Sequence, residues 1–206
     1  MLEELEVVAR RVGHFGALWT ALAVRLGVAI LQGDLERLEA CARDTVKTCL
    51  EIGIPWGVSQ TYGILAISSL WHGNYDDALV SAQRSVEAEV AAFPTSARPS
   101  LMLIHAYMGR RDQALEQLSQ IELPSPDRVN DIGKVIALYL VVEALAVLEE
   151  RDALEELYPL TQELPPGQAL NGIHGGLTPQ TVAGIAATAA GRFEAAARHF
   201  TSALEG

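Results

Sequence analysis

Lysine is nearly missing from this sequence: Lys47 and Lys134 are the only two among 15 basic residues. With 26 acids against those 15 bases the formal charge is −11, and phosphate backbones demand lysine and arginine. Nucleic acid is therefore excluded as a partner, and an anionic membrane surface is repelled. Cysteine is equally scarce. Cys41 and Cys49 are the only two, too few for a disulfide-stapled scaffold. Eight residues apart on one expected helix, they sit about 12 Å apart along its axis, too far to bridge. They lack further ligands at zinc spacing and read as small buried hydrophobes. Aromatics make up only 6%. The start, Met-Leu-Glu-Glu-Leu-Glu, has neither the basic residues nor the apolar run of a secretory signal. The apolar stretch Ile132–Leu148 carries Lys134 and Glu143, and the uncharged residues 164–191 are rich in Pro, Gly, Thr, Asn and Gln, so no membrane span is expected. A cytoplasmic chain is the expectation.

The motifs of common chemistries are absent as well. There is no G-x-x-x-x-G-K-[ST], G-x-G-x-x-G or H-E-x-x-H, and no G-x-S-x-G elbow. The five histidines, His14, His72, His105, His174 and His199, are never three or four residues apart, so no helix offers a metal pair. The pairs Asp76-Asp77, Glu149-Glu150 and Glu155-Glu156 are adjacent, hence about 100° apart on a helix, and read as a solvated face. The loop Asn171-Gly172-Ile173-His174-Gly175-Gly176 holds one histidine without an orienting acid, which is a hinge composition before it is a site. No metal, no cofactor and no catalytic residue is expected, and the chain reads as a non-enzyme.

What the sequence does contain is internal repetition. Apolar segments end at Gly33-Asp34, Gly73-Asn74, Gly109-Arg110 and Gly191-Arg192, and a periodic segment follows each. Its face begins five residues past the glycine, at Leu38, Ala78, Ala114 and Ala196, and continues four and seven residues on, which is one side of an α-helix. Glu150-Arg151-Asp152-Ala153-Leu154-Glu155 echoes Arg110–Glu116 with one residue deleted. The glycine is lost there, so a differently built turn is expected. The anchors Leu38, Ala78, Ala114, Ala153 and Ala196 are 40, 36, 39 and 43 residues apart. Glycine ends the first helix of each unit without strain, Asp34 and Asn74 suit the start of the second, and small residues allow close helix crossings. Gly53-Ile54-Pro55, Pro94-Thr95-Ser96, Pro124-Ser125-Pro126-Asp127 and Pro165-Pro166-Gly167 punctuate the units, and no stretch alternates like a strand. The expected fold is all-α: about five antiparallel helical hairpins over 15–53, 55–93, 96–123, 127–164 and 176–205, stacked as a right-handed superhelix in one domain spanning 1–206. The segment Arg128–Glu149, apolar almost all round, should be a sandwiched helix.

Gly191, Phe193, Ala196, Phe200 and Ala203, with Gly184 at the small position of the preceding helix, resemble the tetratricopeptide repeat. Gly73-Asn74-Tyr75-Asp76-Asp77-Ala78 resembles it nearly as well; the other units depart at one or more positions. Residues 152–204, through Leu157-Tyr158-Pro159-Leu160 and Gly191-Arg192-Phe193-Glu194-Ala195, also look like the C-terminal helical repeats of bacterial signalling proteins. In those, the repeats accompany an ATPase with a nucleotide cyclase or a LuxR-type DNA-binding domain. The resemblance implies a non-catalytic interaction module, a regulatory region of a larger bacterial signalling or transcription-regulatory protein, that binds a protein segment or a neighbouring domain. The family's groove-facing positions fall on Gln60, Gly63, Ile67, Leu70 and Trp71, on Leu103, Ala106 and Tyr107, and on Thr178, Thr181, Ile185 and Thr188. Of these Gln60, Ile67, Trp71, Tyr107, Thr181 and Thr188 are the candidate partner-binding residues. Trp19 and Trp56 are further aromatics on first helices, equally suited to core packing. The lysines of a carboxylate clamp are missing. The alternative is a small-molecule sensor whose curvature changes on binding, with Gln60, Thr181 and Arg98 as polar contacts. The amphipathic last helix, Phe193–Leu204, is expected to be covered either by a second subunit, in a homodimer through the C-terminal repeat, or by further helices if the chain is a fragment of a longer one.

Overall fold

The same three-residue backbone turn recurs throughout the computed structural model, which describes residues 2–89, 97–125, 132–164 and 178–205. Everything described is helix or short connection, with no strand among the described residues. The helices are α1 (Leu2–Val12), α2 (Phe15–Leu31), α3 (Leu35–Ile52), α4 (Pro55–Trp71), α5 (Tyr75–Glu87), α6 (Ala97–Tyr107), α7 (Arg111–Leu118), α8 (Ile132–Val147), α9 (Arg151–Gln162), α10 (Pro179–Ala189) and α11 (Phe193–Glu205). The expected breakers at 94–96 and 165–167 and the loop at 171–176 lie outside the described residues, as do residues 128–131 of the expected apolar helix.

Glycine at a left-handed position explains the recurring turn. Gly33, Gly73, Gly109 and Gly191 have φ of 65°, 76°, 69° and 69°, a conformation that costs glycine nothing. At Gly73 the amide bonds to the Leu70 carbonyl at 3.0 Å and the next amide, of Asn74, reaches back to Ser69 at 2.9 Å. That pair satisfies two of the carbonyls a helix leaves unpaired at its C-terminus. The turn between α8 and α9 corrects the expectation of a different build. Glu149 takes φ 58°, its amide bonds to Ala146 at 3.1 Å, and the Glu150 amide bonds to Leu145 at 2.9 Å. The geometry is retained without the glycine, so the left-handed strain of an L-residue is carried there instead. Helix starts follow local chemistry: the Asp34 carboxylate accepts from the Arg37 amide at 2.9 Å, and the Thr178 hydroxyl accepts from the Thr181 amide at 3.1 Å. Asn74 makes no such cap.

Each turn folds its second helix back onto the first, and α4 also packs on α6, α6 on α8, and α8 on α10. Small residues set the close approaches. Between α4 and α5 the Ser59 hydroxyl donates to the Ser85 carbonyl at 2.8 Å, and the Ser85 hydroxyl to the Ser59 carbonyl at 2.7 Å; Ala78 and Ala82 are wholly buried beside them. A Cβ at Gly184 would meet the Phe200 ring at 2.6 Å, so the missing side chain is what lets α11 lie on α10. The α8 helix is buried over most of its surface, with Val135, Leu138, Tyr139, Val141 and Leu145 at 0% exposure, as its composition implied; Val147, near its end, is exposed. The largest core cluster runs from Ala66 of α4 to Ala196 of α11. Smaller clusters hold α1 to α2, around Ala9 and Leu18, and α2 to α3 and α4, around Leu26, Leu38 and Ile64. Cys41 and Cys49 are buried and free. The α1 helix, ahead of the repeats expected from residue 15, packs on α2.

Candidate partner-binding surface

The residue two positions before each turn residue ends the exposed side of a first helix. On α2 it is Leu31, on α4 Trp71, on α6 Tyr107 and on α8 Val147, with exposures of 75%, 45%, 42% and 39%. Large apolar side chains at equivalent positions of α4, α6 and α8, which pack in that order, put an exposed apolar row along the turn edge. Tyr75, two residues past its turn, is exposed beside it and feels Tyr107 electrostatically.

Two polar links tie the edge together. The Tyr107 hydroxyl donates to Glu143 Oε1 at 2.8 Å, joining α6 to α8. Burial, and then the bond to Glu143, pushes the Tyr107 phenol up to about 12. Burial also raises the Glu143 carboxyl above its ordinary range, while the hydrogen bond from Tyr107 pulls it back. One turn further along, Arg111 pairs with Glu150. Glu143 carries the acid at a register that holds Ile67 on α4 and Ile185 on α10.

The other candidate residues divide. Ile67 is 1% exposed and belongs to the main core, so its side chain is not at a surface; Gly63, Leu70, Leu103 and Ala106 are buried with it. Gln60 is half-buried on α4. Thr181 is half-buried on α10, its hydroxyl 3.0 Å from that of Thr178. Thr188 is exposed and donates to the Gly184 carbonyl at 2.8 Å; it lines a cleft of about 520 Å³ together with Phe193, Phe200, Ile185 and Glu149. Arg98 is engaged by Glu89 at 3.2 Å and Gln120 at 2.8 Å. Gln60, Thr181 and Arg98 stand on three separate helices, α4, α10 and α6. Trp19 and Trp56 pack edge to face, ring centres 4.9 Å apart, and close the seam between α2 and α4.

Glu143, Leu31, Tyr75 and Val147 are not among the candidates expected from sequence. For all but Glu143 the signal lies in the spacing, two residues from a turn residue. Among the described residues no His, Cys, Asp and Glu side chains gather as metal ligands, and no helix is long and apolar enough to cross a membrane. Against known protein families, curated proteins and solved structures, neither the sequence nor the fold finds a match.

Proposed function

We propose that the chain is a non-catalytic interaction module, a right-handed tetratricopeptide-like superhelix of five hairpins, serving as a regulatory repeat region of a bacterial signalling protein. The observation that carries the reading is the turn-edge row: exposed Trp71 and Tyr107 at equivalent positions of packed helices, continued by Val147 and Leu31. Aromatic anchors at repeated positions suit a partner segment laid across successive repeats, because each supplies a large, stiff apolar area at small entropic cost. Tyr107 is further held in place by Glu143. The partner is a protein segment or a neighbouring domain, apolar where it meets the row, and the chain's acidic surface disfavours an acidic one.

Exposed Phe193 and Leu204, at 69% and 90%, support the second part of the proposal, a homodimer through the C-terminal repeat. Light scattering across a hundredfold range of concentration tests it; Leu204→Glu should shift any dimer to monomer.

The partner is sought by affinity capture with the whole chain, followed by Trp71→Ala and Tyr107→Ala. Each truncation should weaken the captured complex by about tenfold or more, as a buried aromatic anchor does, while circular dichroism stays unchanged. Full binding by both variants removes the row from the interface.

A further inference from the structure

A cleft lies away from the turn edge, among α3, α4 and α5. The second helices α3 and α5 both pack on α4 but stand apart from each other, leaving a cleft of about 630 Å³ between them. That is the size of a small-ligand site. Its floor is aliphatic, from Ala42, Val46, Leu65 and Val80. The turns at Gly53 and Gly73 run α4 back along α3 and α5 back along α4, which sorts the charged rim into two ends. Lys47 and Glu51, late in α3, and Arg84, late in α5, stand with Tyr62, in the middle of α4; the Arg84 guanidinium lies 5.7 Å from the Tyr62 ring centre. Glu39 and Asp77, early in α3 and α5, stand at the other end, with Arg43 between.

The cations are weakly engaged. Arg84 makes no ion pair among the described residues. Lys47 reaches only its own helix neighbour Glu51, at 3.9 Å, with both side chains more than half exposed, a pair of negligible strength. The Tyr62 hydroxyl makes no hydrogen bond among the described residues. The rim carries three acids, Glu39, Glu51 and Asp77, against Arg43, Lys47 and Arg84, and the Arg84 guanidinium beside the Tyr62 phenol, with no carboxylate pairing it among the described residues, is the recognition pattern. Arginine presents parallel donors that match a carboxylate.

We propose that this cleft binds a small monocarboxylate with an apolar body. The carboxylate sits between Arg84 and Lys47, within reach of the Tyr62 hydroxyl, and the apolar chain lies over Val46, Leu65 and Val80. Glu39 and Asp77 at the far end repel a second anionic group. The site is independent of the turn edge and of the partner-binding reading.

Calorimetric titration of the whole chain with octanoate, 3-phenylpropionate, octanamide and suberate tests it. The two monocarboxylates should bind, raising the melting temperature as native-state ligands do, and octanamide and suberate should bind at least about tenfold more weakly. Arg84→Gln should weaken octanoate by a similar factor and Lys47→Gln by less. Arg37→Gln, outside the cleft, should change nothing; far-ultraviolet circular dichroism confirms that each variant is folded. Failure of both monocarboxylates to bind overturns the proposal, as does equal binding of octanamide or indifference to Arg84→Gln. A titration that vanishes as the chain dimerises through Leu50 and Val80 assigns the cleft to a second copy, and also overturns it.

Discussion

Glu149 is the one described non-glycine residue at positive φ, and it holds a turn that glycine builds elsewhere. An L-residue there costs about 1–2 kcal/mol, of which glycine's larger unfolded-state entropy would return up to about 1 kcal/mol. Glu149→Gly should therefore stabilise the fold by a few tenths to about 1 kcal/mol, read as a rise in melting temperature. Gly109→Ala should do the reverse. Two titrating residues give opposite pH signatures. His105 is 6% exposed, its Nδ1 has no partner among the described residues, and burial, with Arg110 nearby, lowers its pKa below 6.5. As the pH falls the unfolded chain takes up that proton first, so the stability held by the neutral ring is complete above about 6.5 and is lost as the pH drops through the lower folded value. Glu143 works the other way. Its folded pKa is raised, the native state protonates first, and its ionised form weighs on stability near neutrality. Glu143→Gln should then raise the melting temperature at pH 7, and the gain should shrink as the pH falls through the raised folded value. His105→Leu should flatten the loss between pH 7 and 5.5. A wild-type slope in both variants would show that other groups dominate.

At the scale of elements, the turns were the most legible part of the sequence. A glycine followed by Asp, Asn or Arg, then an anchor five residues on, is enough to end one helix and begin the next, because the left-handed residue and the following helix face are both local requirements. The retained turn at Glu149 is not legible because sequence shows the penalty of a missing glycine but not the packing that absorbs it, here the buried core of α8. The candidate site was half legible. Trp71 and Tyr107 are placed by their distance from the turn, whereas Ile67 was carried over from a family register and sits in the core, where α4 is squeezed between α3, α5 and α6. Glu143 escaped notice because its meaning depends on Tyr107, 36 residues away. Tyr158 and His199 show the same limit: both stood in the segments that resembled signalling proteins, yet only the fold brings the hydroxyl 3.4 Å from the imidazole and the Arg192 guanidinium 4.8 Å from the Tyr158 ring centre. The close crossing at Gly184 gives an element-level prediction. Gly184→Val forces Phe200 off α10, and the expected loss is about 1–3 kcal/mol, measured by urea denaturation.

Across the whole molecule, the buried core is unevenly distributed along the chain. The cluster from α4 to α11 is continuous, while α1 to α3 rest on small separate patches. Native-state hydrogen exchange should find the slowest amides in α6 and α8 and markedly faster ones in α1 and α2, as expected when local opening tracks local burial. Uniform protection from end to end would instead indicate a single cooperative unit. The turn edge carries exposed Leu31, Trp71, Tyr107 and Val147 as a broken apolar line, crossed by the Tyr107–Glu143 and Arg111–Glu150 links. The claim that this line receives a partner is tested most directly by titrating the captured partner into the parent chain and into the Trp71→Ala/Tyr107→Ala double variant. The account predicts an affinity lower by about a hundredfold, two anchors' worth, with an unchanged melting temperature. An affinity equal to the parent's, in a folded double variant, would contradict it.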